Sequence, residues 1–183
     1  MAAEFEFPHG VIFQQAYLVD DLRASIEEWN QLFGAGPFVI TEHHRTDTFD
    51  YRGTDHEADV SYAFGYLGDM MIQFIVQHDD TPSIYRDMYA AGETGFHHVG
   101  FLCEDVRVEV DRMAAAGFEC ATFLHADGVD AAYVDTRSVN GGFTEYHGTP
   151  PRIIEAFTSW RRAHENRRAG DPPIADRRSL IES

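Results

Sequence analysis

Lysine is absent from this sequence: apart from histidine, all 14 of its basic residues are arginine. That excludes Schiff-base chemistry on a lysine amine and any Walker-type phosphate loop. Cysteine is nearly absent, and the two present, Cys103 and Cys120, sit in the apolar segments GFLCED and GFECATF. Free cysteine in such surroundings acts as a small buried hydrophobe, so no disulfide and no thiol chemistry is expected. No apolar run approaches the ~20 residues of a membrane span. The opening MAAEFEFPHG has neither the basic nor the apolar region of a signal peptide, so a cytoplasmic protein without a membrane partner is expected. Positive charge is scarce, and the formal net charge of -17 repels polyanions, which removes nucleic acid as a partner.

What is present is an internal repeat. Laying VIFQQAYLVDDLRASIEEW beside FHHVGFLCEDVRVEVDRM with Gln14 over His98 aligns Leu18 with Leu102, Asp21 with Asp105 and Arg23 with Arg107. Each copy opens with an apolar strand and reaches an aspartate able to cap a helix. Apolar residues at helical spacing follow: Leu22, Ile26, Trp29 and Phe33, then Val106, Val110 and Met113. The helices are expected to stop at Gly34 and Gly117. Three β-type segments follow in each half, PFVITEH, ADVSYAFGY and MMIQFIVQ, then FECATFL, AAYVDT and GGFTEYH. A Gly68-Asp69 turn separates the last two strands of the first copy, and the stretch from Ser138 to Gly142 does so in the second. Both copies therefore read βαβββ, an α+β protein of two tandem modules. The boundaries are 10–77 for the first module, 78–95 for a linker with a short helix capped by Ser83, and 96–148 for the second module. A C-terminal helix over 149–169 carries Ile153, Ile154, Phe157 and Trp160 on one side, and 170–183 reads as a flexible tail.

Polar residues interrupt the apolar strands at matching places in the two copies. Gln14 and His98 occupy one position of the first strand, and Gln73 and Glu145 occupy one position of the last. Apolar side chains would pack better at all four, so the four intrusions invite one explanation. If each copy curls its sheet so that first and last strands adjoin, four side chains meet at one point. Imidazole, carboxylate and amide oxygen all ligate divalent cations. Two amides, one neutral histidine and one carboxylate leave a dication with about one net positive charge, enough for a Lewis acid. Each residue also has a plainer explanation. A buried glutamine can simply bond backbone, Glu145 can pair with an arginine, and His97 or His98 can be structural. Strand alternation puts His97 on the opposite face, and the repeat alignment selects His98 as the inward one. Tyr62, Phe64 and Tyr66 alternate along one strand and could line a pocket, with His147 on the face of Glu145 as a substrate contact or alternative ligand.

The βαβββ repeat with these inserted polar residues resembles the vicinal oxygen chelate superfamily, which includes glyoxalase I, methylmalonyl-CoA epimerase, extradiol dioxygenases and resistance-type binding proteins. HHVGFLCEDV and the acidic end of GGFTEYH carry the resemblance most specifically, and PSIYRDM in the linker resembles epimerase-like members. The resemblance implies a cupped mixed sheet with helices outside and one divalent ion (Zn, Ni, Co, Mn or Mg) on Gln14, Gln73, His98 and Glu145. It also implies proton transfer by Glu145, with His56 or Glu57 supplying a second acid or base, and a homodimer. The set Gln, Gln, His, Glu lies between those of glyoxalase I and the epimerase, and a single histidine argues against an iron dioxygenase. The expected function is metal-dependent isomerisation, epimerisation or lyase chemistry by proton abstraction beside a carbonyl, with a metal-stabilised enolate. The substrate is then a small carbonyl or acyl compound. The alternatives are metal-free sequestration of a small molecule and, further off, an extradiol-type dioxygenase. Arg45, Arg52, Arg86 and Arg137 are the side chains that could meet the phosphates of a coenzyme A ester.

Overall fold

A computed structural model describes residues 10–176 of the chain. The first module contributes β1 (Ile12–Leu18), α1 (Leu22–Phe33), β2 (Val39–His44), β3 (Thr48–Tyr51), β4 (Val60–Leu67) and β5 (Met70–Gln77). The second contributes β6 (Gly95–Cys103), α2 (Val106–Ala115), β7 (Cys120–Ala126), β8 (Val129–Val134), α3 (Arg137–Asn140) and β9 (Phe143–Gly148), and α4 (Pro151–Glu165) closes the set. The two aspartates aligned by the repeat cap the two long helices. Asp21 accepts from the backbone N–H groups of Arg23 and Ala24 at 2.8 and 3.0 Å, and Asp105 from those of Arg107 and Val108 at 2.9 and 3.3 Å. Gly34 ends α1 in the left-handed conformation a β-carbon disfavours.

All nine strands form one sheet in the order β2-β4-β5-β1-β6-β9-β8-β7-β3, strongly curled into a half-barrel. Within each module the first and last strands pair in parallel (β1 with β5, β6 with β9). The modules join where β1 meets β6 antiparallel. The four central strands, β5-β1-β6-β9, are thus the two symmetry-related pairs that carry the polar intrusions. On the convex side α1 buries Leu22 and Ile26 against Ala63, Ile72 and Phe74, and α2 buries Val106 against Ala132, Val134 and Tyr146. The concave side holds Ala16, Leu18, Val60, Ile75, Ile84 and Tyr133 at one end. At the other end Phe157 and Trp160 of α4 pack on Phe13, Tyr66, Met71 and Leu102 and seal the half-barrel.

Four departures from the sequence reading matter. β3 was not anticipated. It follows β2 by three residues yet pairs with β7 at the far edge of the sheet, so the chain from His44 to Thr48 crosses the open mouth of the cup. The linker forms turns rather than a helix over 84–88, although Ser83 Oγ does accept from the N–H groups of Tyr85 and Arg86. The connection before β9 is the short helix α3 in place of a hairpin turn. Of the tail, 177–183 lie outside the described residues, while the part before them is held. Phe38 donates to Pro173 O, Ala175 donates back to Phe38 O, and Ile174 packs beside α1.

Candidate metal centre

Gln14, Gln73, His98 and Glu145 lie on the four central strands within two residues of one another in register. Ala16 of β1 pairs with Gln73 on one side and His98 on the other, while Gly100 of β6 pairs with both Gln14 and Glu145. All four residues are at most 4% exposed. The repeat therefore does bring the four together, as residues of a single chain.

Their polar atoms are not satisfied by the protein. Gln14 Oε1, Gln73 Oε1, His98 Nε2 and Glu145 Oε2 are all buried without a hydrogen-bond partner. An orphaned buried acceptor costs about 1–3 kcal/mol, and four grouped at one place call for a cation. The second atoms of these groups are held in position: Gln14 Nε2 reaches Met71 Sδ at 3.6 Å, and Tyr133 donates its hydroxyl to Glu145 Oε1 at 2.9 Å. Gly100 supplies the space for Gln14, since a β-carbon there would lie 2.7 Å from Gln14 Oε1.

The histidine tautomer follows from its neighbours. His97 Nε2 lies 3.1 Å from Ile84 O, which can only accept, so His97 donates from Nε2. Burial, reinforced by neighbouring His98, pushes the His97 pKa well below the usual imidazole range, so that ring is neutral and its Nδ1 accepts. His98 Nδ1, 2.8 Å away, must then carry the hydrogen, and His98 Nε2 lies 3.3 Å from Glu145 Oε2. Glu145 itself is pulled in both directions. Burial raises its pKa, the adjacent His98 imidazole lowers it, and the net position is below the usual carboxylate value.

The orientation of His97 corrects the strand-alternation argument. β6 is bulged there, since Ala16 pairs with His98 and Tyr17 with Phe96, leaving His97 as the extra residue. Its ring turns to the concave side as well and stacks on Phe143 at 5.3 Å. Tyr133, Gly100 and His97 are the site residues the sequence did not announce. The positions of Gly100 and His97 beside His98 in HHVG were the available signal.

A small cavity of about 20 Å³ opens beside the centre at the mouth crossed by β3. Its lining includes His44, Phe49, Glu57, Tyr62, Tyr85 and Tyr133. Of the other residues picked out in the sequence, Glu57 and Tyr62 reach this cavity, whereas His56 is exposed outside it. Phe64, Tyr66 and His147 do not. Phe64 stacks on Trp160 at 5.7 Å, Tyr66 lies in the cluster sealed by α4, and His147 packs against Phe157 at 5.6 Å. Cys103 and Cys120 are both unpaired, and burial pushes each thiol up to about 11.

Residues 13–133 match the family model described as the glyoxalase, bleomycin resistance protein and dioxygenase superfamily, and the chain belongs to that superfamily. Among solved structures it is similar to methylmalonyl-CoA epimerase from Mycobacterium tuberculosis, with 13% identity over 81% of this chain and 93% of that one and a TM-score of 0.56. A methylmalonyl-CoA epimerase in complex with methylmalonyl-CoA and NH4+ gives 15% identity over 79% and 97% of the two chains and a TM-score of 0.54. A Streptomyces coelicolor epimerase variant in complex with 2-nitronate-propionyl-CoA gives 16%, 79%, 97% and 0.53. At these identities the likeness is one of fold. No curated protein sequence matches the chain.

Proposed function

We propose that the protein is a divalent-metal-dependent isomerase, epimerase or lyase that moves a proton beside the carbonyl of a small molecule. The observation that carries this is the grouping of Gln14 Oε1, Gln73 Oε1, His98 Nε2 and Glu145 Oε2 as four buried, unpartnered donors of lone pairs. Their chemistry suits a borderline or hard cation, one nitrogen and three oxygens. A dication bound there would supply Lewis-acid polarisation of a substrate oxygen. The protein's own groups supply the rest. Glu145 is ionised at neutral pH and its Oε1 is oriented by Tyr133, a residue of the cavity wall, so it is placed to accept a proton beside the cavity. Glu57, half-buried in the cavity wall, has Oε1 fixed by the Thr46 N–H at 2.8 Å, which leaves its other oxygen for proton exchange.

Glu57 lines the cavity directly, and Glu145 reaches its wall through the hydroxyl of Tyr133. Two such groups favour epimerisation within this class, because one base can remove a proton and the other return it. Epimerase structures share the fold, which accords with this choice. The test is elemental analysis of purified protein, expected at close to one divalent ion per chain. His98→Ala and Glu145→Ala should each lose the ion while keeping native circular dichroism. Folded wild-type protein that takes up no divalent ion would sink the proposal.

A further inference from the structure

The cavity and the charge around its mouth narrow the substrate class further, on the premise that this site binds a carbonyl compound as proposed above. The space is small, about 20 Å³ against the ~300–1,000 Å³ typical of ligand pockets, so it receives the reacting end of a substrate and not a bulky group. Apart from tyrosines, its only ionisable lining residues are His44 and Glu57, and no arginine lines it among the described residues. Tyr62 and Tyr85 place their hydroxyls 3.0 Å apart; one donates, and the other keeps its own hydrogen for a third oxygen. Burial pushes Tyr62 up to about 12 and Tyr85 well above the usual phenol value, so both remain neutral donors.

Outside the cavity the surroundings are hostile to phosphate. The segment 42–59, which frames the mouth, carries Glu42, Asp47, Asp50, Asp55, Glu57 and Asp59 against Arg45 and Arg52. Arg52 is held by Asp87, Glu119 and Asp135 at 2.8, 2.5 and 3.2 Å. Arg137 is held by Asp135, and Arg86 donates to the carbonyls of Gln77 and Asp79. Three of the four arginines that could have met a coenzyme A tail are therefore engaged within the protein. An anionic tail approaching this mouth meets carboxylates first.

We infer that the substrate is a small uncharged carbonyl compound whose polar end meets the Tyr62–Tyr85 hydroxyl pair, and not an acyl-coenzyme A ester. The comparison that decides this is calorimetric titration of the purified protein with propionyl-coenzyme A and with propionyl-N-acetylcysteamine, the same acyl thioester without a nucleotide, with acetophenone as a second neutral probe. At least one neutral probe should bind about tenfold or more tighter than the coenzyme A ester. Its affinity should change by less than about twofold between roughly 50 and 500 mM salt, as expected without ionic contacts. Tyr62→Phe should weaken the neutral probe by about five- to tenfold, the size of one lost hydrogen bond. Tighter binding of propionyl-coenzyme A, weakening with salt, overturns the inference, as does failure of both neutral probes at millimolar concentration. Deuterium uptake from solvent separates this outcome from that of the proposed reaction. Neutral probes bound without metal or exchange retain the substrate class and remove the chemistry, whereas exchange into the coenzyme A ester alone does the reverse.

Discussion

Gly100→Ala tests the centre through its weakest mechanical point. Gly100 pairs with Gln14 on one side and Glu145 on the other. An added β-carbon would lie 2.7 Å from Gln14 Oε1, 2.9 Å from Phe13 Cε1 and 3.0 Å from Gln14 Cβ. All three are inside the ~3.5–4.0 Å of a favourable contact. Ladders on both edges keep β6 from retreating, so the Gln14 side chain must rotate and carry its oxygen away from Gln73, His98 and Glu145. Overpacking of this kind costs about 1–3 kcal/mol, or about 2–4 °C of melting temperature per kcal/mol for a chain of this size. The effect on the ion should be larger in proportion, a loss of about 10- to 100-fold in affinity. Titration against a chelator that buffers free metal, with thermal melts on the same samples, reads both quantities. In a Gln14→Ala background the same glycine substitution should have little further effect on affinity, a coupling of about 0.5–3 kcal/mol. A folded Gly100→Ala protein with wild-type affinity, or effects that simply add, would refute the assignment of Gln14 Oε1 as a ligand.

Three further outcomes are expected. Gln73→Leu removes an orphaned acceptor, so the metal-free variant should melt a few degrees above metal-free wild type while losing the rise in melting temperature that added metal gives; a lower metal-free melting temperature counts against the orphaned-oxygen argument. His97→Leu leaves His98 Nδ1–H without its acceptor and should lower metal affinity about 10- to 100-fold, whereas His97→Gln, which retains an accepting oxygen, should lose less; equal losses would show that hydrogen bonding is not the cause. Asp135 is held down to about 2 by its hydrogen bond from Arg137, against a burial effect in the other direction. Since the folded value is the depressed one, its stabilisation is fully present above the unfolded value near 3.8 and disappears as pH falls toward about 2. Asp135→Asn should therefore cost about 1–2 kcal/mol at pH 7 and almost nothing at pH 2, as read by urea melts across that range.

The cluster of four polar residues was legible because they break a pattern twice. Strand periodicity marks Gln14, Gln73 and Glu145 as polar positions among apolar ones, and the repeat ties them to His98. The pocket was less legible. Tyr62, Phe64 and Tyr66 share a face of β4, and alternation cannot say how far along that face a cavity extends. Trp160 of α4, nearly a hundred residues later, covers Phe64 and leaves only Tyr62 facing open space. His97 shows the same limit on a smaller scale, because one bulge in β6 reverses the face that alternation assigns.

Local signals therefore determined the modules, the capped helices at Asp21 and Asp105, and the four polar positions on the central strands, since these depend on the spacing of a residue to its near neighbours. Tertiary structure alone decided which end of the cup is open. That depends on α4 filling one end and on β3, a four-residue segment of the first module whose backbone finds its partner only on β7 of the second. Such a strand has too few apolar residues to declare itself, and it exists because the curled sheet brings an unpaired edge within its reach.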